Sequence, residues 1–167
     1  IALSGCSGDK EGENSSQITI GIPQDLEDSL DPHKMVAAGT KEVLFNLFEG
    51  LVKPTSDGDF IPAVASKYEE SEDGKVYTFT LRDGVKFHDG TLVTAEDVKF
   101  SLDKCADASK GEPLVAAYSN IESIEIADEK TIVITLKEPN TEFLAYMTTA
   151  IIPACPTAPD TTPIGPG

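Results

Sequence analysis

The chain reads as an α+β protein, with a mixed or antiparallel sheet and short helices. Three observations predict this. Apolar residues alternate with polar ones at Tyr77, Phe79 and Leu81, at Ile121, Ile124 and Ile126, and at Ile132, Ile134 and Leu136, which is the period of strands with one buried face. Asp-Gly pairs at 83–84 and 89–90 punctuate the sequence as tight turns do, because Gly tolerates a positive φ and Asp bonds its own backbone. One segment, from Thr94 to Cys105, carries a helix-start signal followed by apolar spacing of three and four.

Residues 73–102 are the most informative stretch and read as strand, turn, short strand, turn, helix. Thr94 stands three residues before Asp97, so its hydroxyl can cap the first-turn amides. Val93 and Val98 are spaced as a hydrophobic staple across that cap, and Glu96 and Asp97 face the positive end of the helix dipole. Ala95, Val98, Leu102 and Cys105 share one face, to which Phe100 does not belong.

Upstream, residues 17–22 read as a short β-branched strand ending at Pro23, and 24–34 as a loop. Val43, Leu44, Leu47, Phe48 and Leu51 recur at helical spacing and predict a helix over about 40–51. Residues 55–59 form a turn, and 60–68 lead through an acidic loop to the strand at 77. Downstream, 106–113 is a polar loop, and the alternating runs around Asp128-Glu129-Lys130 predict an antiparallel hairpin. Asn140 is placed to cap a short helix carrying Phe143, Leu144 and Met147, and prolines at 153, 156, 159, 163 and 166 exclude a helix thereafter.

The 167 residues carry 29 acidic and 13 basic side chains, a formal charge of −16. Such a surface speaks against nucleic acid or an anionic membrane surface as a direct partner. No apolar run reaches the 18 or more residues of a spanning helix. Cys6, Cys105 and Cys155 are too few and too scattered for a disulfide framework or a zinc module. Cys105 and Cys155 either pair in an oxidising compartment or are buried separately as small hydrophobes, which is the commoner outcome.

Neither a GxSxG, P-loop, HExxH nor GxGxxG pattern occurs, so no catalytic residue is assigned and no enzyme is expected. His33 and His88 are too far apart for a local chelate, and His88 reads as a turn residue beside Asp89-Gly90. Neither a metal site nor a cofactor is predicted.

At the N-terminus, Leu3-Ser4-Gly5-Cys6 resembles the bacterial lipobox, in which the cysteine is acylated after signal-peptide cleavage. The wholly polar run 7–16 that follows has the composition of a flexible tether. The resemblance implies lipid attachment at Cys6, and that the start of the signal peptide lies upstream of Ile1.

The central stretch resembles the family 5 extracellular solute-binding proteins of bacterial ABC transporters, the group of oligopeptide-, dipeptide- and nickel-binding proteins. The matching residues are Pro62-Ala63-Val64-Ala65, Asp73-Gly74, 77–82 (Tyr-Thr-Phe-Thr-Leu-Arg), 84–90 (Gly-Val-Lys-Phe-His-Asp-Gly) and 94–98 (Thr-Ala-Glu-Asp-Val). Leu30-Asp31-Pro32-His33, Phe48-Glu49-Gly50-Leu51 and Pro163-Ile164-Gly165 fall where the family carries similar segments, and Tyr68 stands where it often has Trp.

The resemblance runs from about residue 17 to 167 and implies a fragment of a class II periplasmic-binding-protein-like fold, roughly the first third of a member. It implies a lipobox and tether over 1–16, the opening strand and loop of the first lobe over 17–39, and an inserted small domain over 40–152. A proline-rich return to the first lobe follows over 153–167. By position the loop after the first strand reaches the ligand cleft, making Asp31, His33, Met35 and Val36 the candidate ligand contacts.

The implied function is that of a substrate-binding lipoprotein of an ABC importer. It captures a peptide or similar small solute outside the membrane and passes it to a permease. The expected partners are the solute, permease subunits and the membrane through the lipid anchor alone, with a monomeric protein. A non-transport surface lipoprotein, adhesin or signalling receptor, is the alternative on the same fold, and a hydrolase the second. Because the opposing wall of the cleft falls outside residues 1–167, the resemblance implies that this piece by itself binds solute weakly.

Overall fold

A computed structural model describes residues 32–33, 48–109, 111 and 113–154. The predicted strand at 17–22, most of the predicted helix at 40–51, Cys6, Cys155 and the proline-rich tail lie outside the described residues.

Two antiparallel sheets are present among the described residues. The smaller pairs β1 (Val52–Pro54) with β2 (Phe60–Pro62). The larger has four strands in the order β3-β4-β6-β5: β3 is Ala65–Glu70, β4 Val76–Leu81, β5 Ile121–Asp128 and β6 Thr131–Leu136. The expected hairpin is therefore β5–β6, with Ile124 opposite Ile134 and Ile126 opposite Ile132. Strand β4 inserts beside β6, pairing Tyr77 with Ile134 and Phe79 with Ile132.

That register places Tyr77, Phe79, Leu81, Ile132, Ile134 and Leu136 on one face, all buried. Across the buried face lies α1 (Ala95–Ala106), whose Ala95, Val98, Leu102 and Cys105 are also buried. The predicted apolar stripe is thus the one that meets the sheet. Phe100, off the stripe, is 39% exposed. A 3₁₀ turn at Ala116–Asn120 sinks Tyr118 into the same core, and α2, a single turn at Phe143–Tyr146, adds Phe143. The rings of Tyr77 and Phe143 lie 4.9 Å apart at 44°, a favourable tilted contact.

Between β4 and α1 the two turns form as the Asp-Gly pairs predict. Gly84 and Gly90 take φ of 74° and 87°, and Asp89 Oδ1 accepts from the Thr91 amide at 2.9 Å and from its hydroxyl at 2.6 Å. Lys86 and Leu92 bridge the short strand pair between them.

Two expectations are corrected. The predicted helix does not reach Leu51: residues 48–50 are irregular, Leu51 is a bend, and β1 follows immediately. Their backbone groups are engaged by distant segments, since Gly50 O accepts from Val64 N–H, and Leu51 O from Ala63 N–H and Ala65 N–H. Residues 60–70, expected only as a lead-in and part of an acidic loop, instead supply β2 and the edge strand β3. Edge strand β3 is exposed along most of its length, so its sequence ASKYEE shows no alternation to betray it.

Candidate functional site

Two segments far apart in sequence, residues 48–52 leading into β1 and residues 147–154, meet at one edge of the described structure. These two segments run side by side. Ile151 N–H donates to Glu49 O at 3.1 Å, and Val52 N–H to Met147 O at 3.3 Å. The approach is close enough to dictate a residue. A Cβ on Gly50 would sit 2.6 Å from Met147 O and 2.6 Å from the Thr148 carbonyl carbon, so only glycine fits. The glycine of Phe48-Glu49-Gly50-Leu51 thus keeps these two irregular segments in contact.

Helix α1 fastens the second of these segments from the other side. Thr94 is its N-cap, in a full capping box: Asp97 N–H donates to Thr94 Oγ1 at 3.3 Å, while Asp97 Oδ2 accepts from Thr94 N–H at 2.9 Å. Asp97 Oδ1 then accepts from the Ala154 amide at 2.8 Å. One turn on, the buried Ser101 hydroxyl accepts from Ile152 N–H at 2.9 Å and lies 3.1 Å from Ile152 O. Asp97 and Ser101, the two buried polar side chains of the described core, both serve this attachment. Ser101 escaped sequence reasoning, although a serine beside the apolar stripe of α1 was a signal that could have drawn attention.

Tyr118 closes the assembly beneath. Its hydroxyl donates at 2.7 Å to Tyr146 O and lies 2.8 Å from Thr149 Oγ1, which itself donates to Tyr146 O. Burial pushes the Tyr118 phenol well above its ordinary range, keeping it neutral.

Of the residues predicted to contact a ligand, His33 alone falls within the described residues; Asp31, Met35 and Val36 do not. His33 is half-buried, and its Nε2 donates to Ala150 O at 2.8 Å, which requires the proton on that nitrogen. It therefore ties Pro32-His33 to the same segment at residues 147–154. His88 lies in the turn beside Asp89-Gly90, as expected. Among the described residues there is no group of three or more His, Cys, Asp or Glu side chains able to hold a metal, and no helix long and apolar enough to cross a membrane.

The site is thus a backbone junction held by hydrogen bonds, with no nucleophile or acid-base pair converging on it among the described residues. Residues 59–167 match the family model described as "Bacterial extracellular solute-binding proteins, family 5 Middle". The chain belongs to this family.

Two relatives place it further. It is 39% identical over 99 residues to the periplasmic murein peptide-binding protein MppA of Escherichia coli K12, covering 58% of this chain and 18% of MppA. It is 35% identical over 127 residues to the glutathione-binding protein GsiB of Salmonella typhi, covering 74% of this chain and 25% of GsiB. Among solved structures, the family 5 chain resembles the periplasmic binding protein AgaA of A. tumefaciens R10 in complex with agropinic acid. That match has a TM-score of 0.73 and 36% identity, covering 83% of this chain and 30% of AgaA. The chain thus spans a quarter or less of the length of these two curated relatives.

Proposed function

We propose that this chain is part of a substrate-binding lipoprotein of an ABC importer, which captures a peptide or similar small solute outside the membrane and delivers it to a permease. The match of residues 59–167 to a solute-binding family carries this reading. Relatives named for murein peptide and glutathione, both peptides or peptide derivatives, favour a peptidic ligand. No enzymatic step is assigned.

In this reading residues 40–152 are a small domain inserted into a first lobe whose opening is residues 17–39, with 153–167 beginning the return. An inserted domain needs its two connections adjacent, and the hydrogen bonds from Ile151 to Glu49 and from Val52 to Met147 supply that. Asp31, His33, Met35 and Val36 form the ligand-facing loop, and Cys6 carries the lipid, with 7–16 as its tether. The bond from His33 to Ala150 fits a loop braced against the domain junction. Solute capture then follows the usual route for such proteins, domain closure about hinge segments.

A thermal-shift screen of the longer protein against di- to oligopeptides, sugars and nickel chelates tests the reading. At a hundredfold excess over Kd, mass action adds about 2.7 kcal/mol of stability, a rise of several degrees. A response to peptides is expected; silence toward all of them, with a response to a sugar or chelate, would replace the peptide by that ligand. Palmitate labelling that survives Cys6→Ser would remove the lipid-anchor part alone.

A further inference from the structure

Among the described residues, most basic side chains are spoken for. Lys53, Lys67, Lys75, Lys99 and Lys130 each pair with a carboxylate, and Lys137 donates to Ser119 O. Among the described residues, Arg82 and Lys86 have neither an ion pair nor a side-chain hydrogen bond. Both line the same open cavity of ≈ 370 Å³, between β1 and the turn that follows β4.

The carboxylates of that cavity are already engaged. Glu49 faces Lys53 at 3.6 Å, and Asp83 is bonded by Lys130. The cavity therefore holds two uncompensated positive charges on a chain of formal charge −16. The scaffold beneath them is fixed, since Arg82 N–H donates to Val64 O at 2.9 Å, Leu81 N–H donates to Lys130 O at 2.7 Å and Gly84 takes φ of 74°. The two cations are thus carried on a turn whose backbone is tied to its neighbours on both sides.

We propose that the Arg82–Lys86 cavity is a binding site for a phosphate group. A guanidinium offers a planar fork that matches two oxygens of a phosphate, and an ammonium adds a point charge beside it. Two positive charges balance a phosphate dianion, whereas a single carboxylate leaves one uncompensated. The acidic surface repels anions elsewhere at short range, so binding is confined to this cavity. The phosphate comes either free or on a lipid headgroup.

NMR titration of the 167-residue chain with inorganic phosphate tests this, together with co-sedimentation on phosphatidylcholine vesicles with and without phosphatidic acid. Saturable amide shifts at Gly84, Lys86 and Ala63 are expected, weakened at least about tenfold in R82Q and K86Q and unchanged in K67Q, whose lysine is paired elsewhere. Sedimentation with phosphatidic acid vesicles but no response to inorganic phosphate, lost in R82Q and K86Q, supports the site with the headgroup as its source. Acetate giving shifts as large as phosphate, R82Q and K86Q behaving as wild type in both assays, or no response to either probe, overturns the proposal.

Discussion

Asp97 and Ala154, separated by 57 residues in sequence, are joined by a 2.8 Å hydrogen bond from the Ala154 amide to the Asp97 carboxylate. The other oxygen of the same carboxylate accepts from the amide and the hydroxyl of Thr94 at 2.9 Å. A single side chain therefore both starts α1 and anchors the segment at residues 152–154.

Removing that double role should cost more than removing the cap alone. Thr94→Ala is expected to lose about 1 kcal/mol. Asp97→Ala should lose about 2–4 kcal/mol, because charge-assisted bonds to these part-buried amides are each worth more than neutral ones and their donors lose their partner. Urea denaturation of both variants checks the order; equal losses would mean that the bond to Ala154 contributes nothing.

Gly50→Ala and Gly58→Ala should destabilise for different reasons and by different amounts. At Gly50 the new methyl would meet backbone atoms of Met147 and Thr148 at 2.6–2.7 Å, so the paired segments must separate, at a cost of about 3 kcal/mol or more. Gly58 has open space around it and φ of +90°, so its cost is conformational, about 1–2 kcal/mol. Comparable midpoints for the two variants would refute the close approach at Gly50.

Phe79 is fully buried at the centre of the four-stranded sheet, opposite Ile132 and with its ring 6.0 Å from that of Tyr68. Phe79→Ala should cost about 3–5 kcal/mol by chemical denaturation. Phe100→Ala, on the outer side of α1, should change stability by less than about 1 kcal/mol.

Alkaline pH should expose the state of Tyr77. Burial, and the Glu70 carboxylate that accepts its hydroxyl at 3.0 Å, raise its pKa from 10.0 to about 12. The folded state favours the neutral phenol, so this stabilisation is complete below pH 10.0 and is lost as pH rises through about 12. Stability should fall across that interval, and Tyr77→Phe should flatten the fall in denaturation midpoints measured on either side of it. An unchanged slope in the variant would assign the fall to other groups.

The alternating runs at 121–126 and 132–136 pair as the expected hairpin, the run at 77–81 is a strand as expected, and the cap at Thr94 and the stripe of α1 appear in place, whereas the pairing of 77–81 with 132–136 came from the structure. These features depend on neighbours a few residues away, or on a period that a buried face imposes. Strands β1, β2 and β3 left no such trace. The first two are three residues long, and β3 turns only Ala65 and, in part, Tyr68 toward the core. Of the candidate ligand contacts, the sequence pointed to the segment holding His33, but the carbonyl of Ala150 that accepts its hydrogen bond lies 117 residues away.

What the sequence determined by itself was therefore local: hydrophobic period, turn chemistry, helix capping and, through them, the resemblance to a solute-binding family. What only the tertiary structure decided was the junction. Residues 48–51 carry helical spacing yet run irregular, because Gly50 must pack against the backbone of residues 147–148 and because the carbonyls of Gly50 and Leu51 are taken by the amides of Ala63, Val64 and Ala65. Contacts made across such separations in the chain outweigh the few tenths of a kcal/mol per residue by which helix propensities differ.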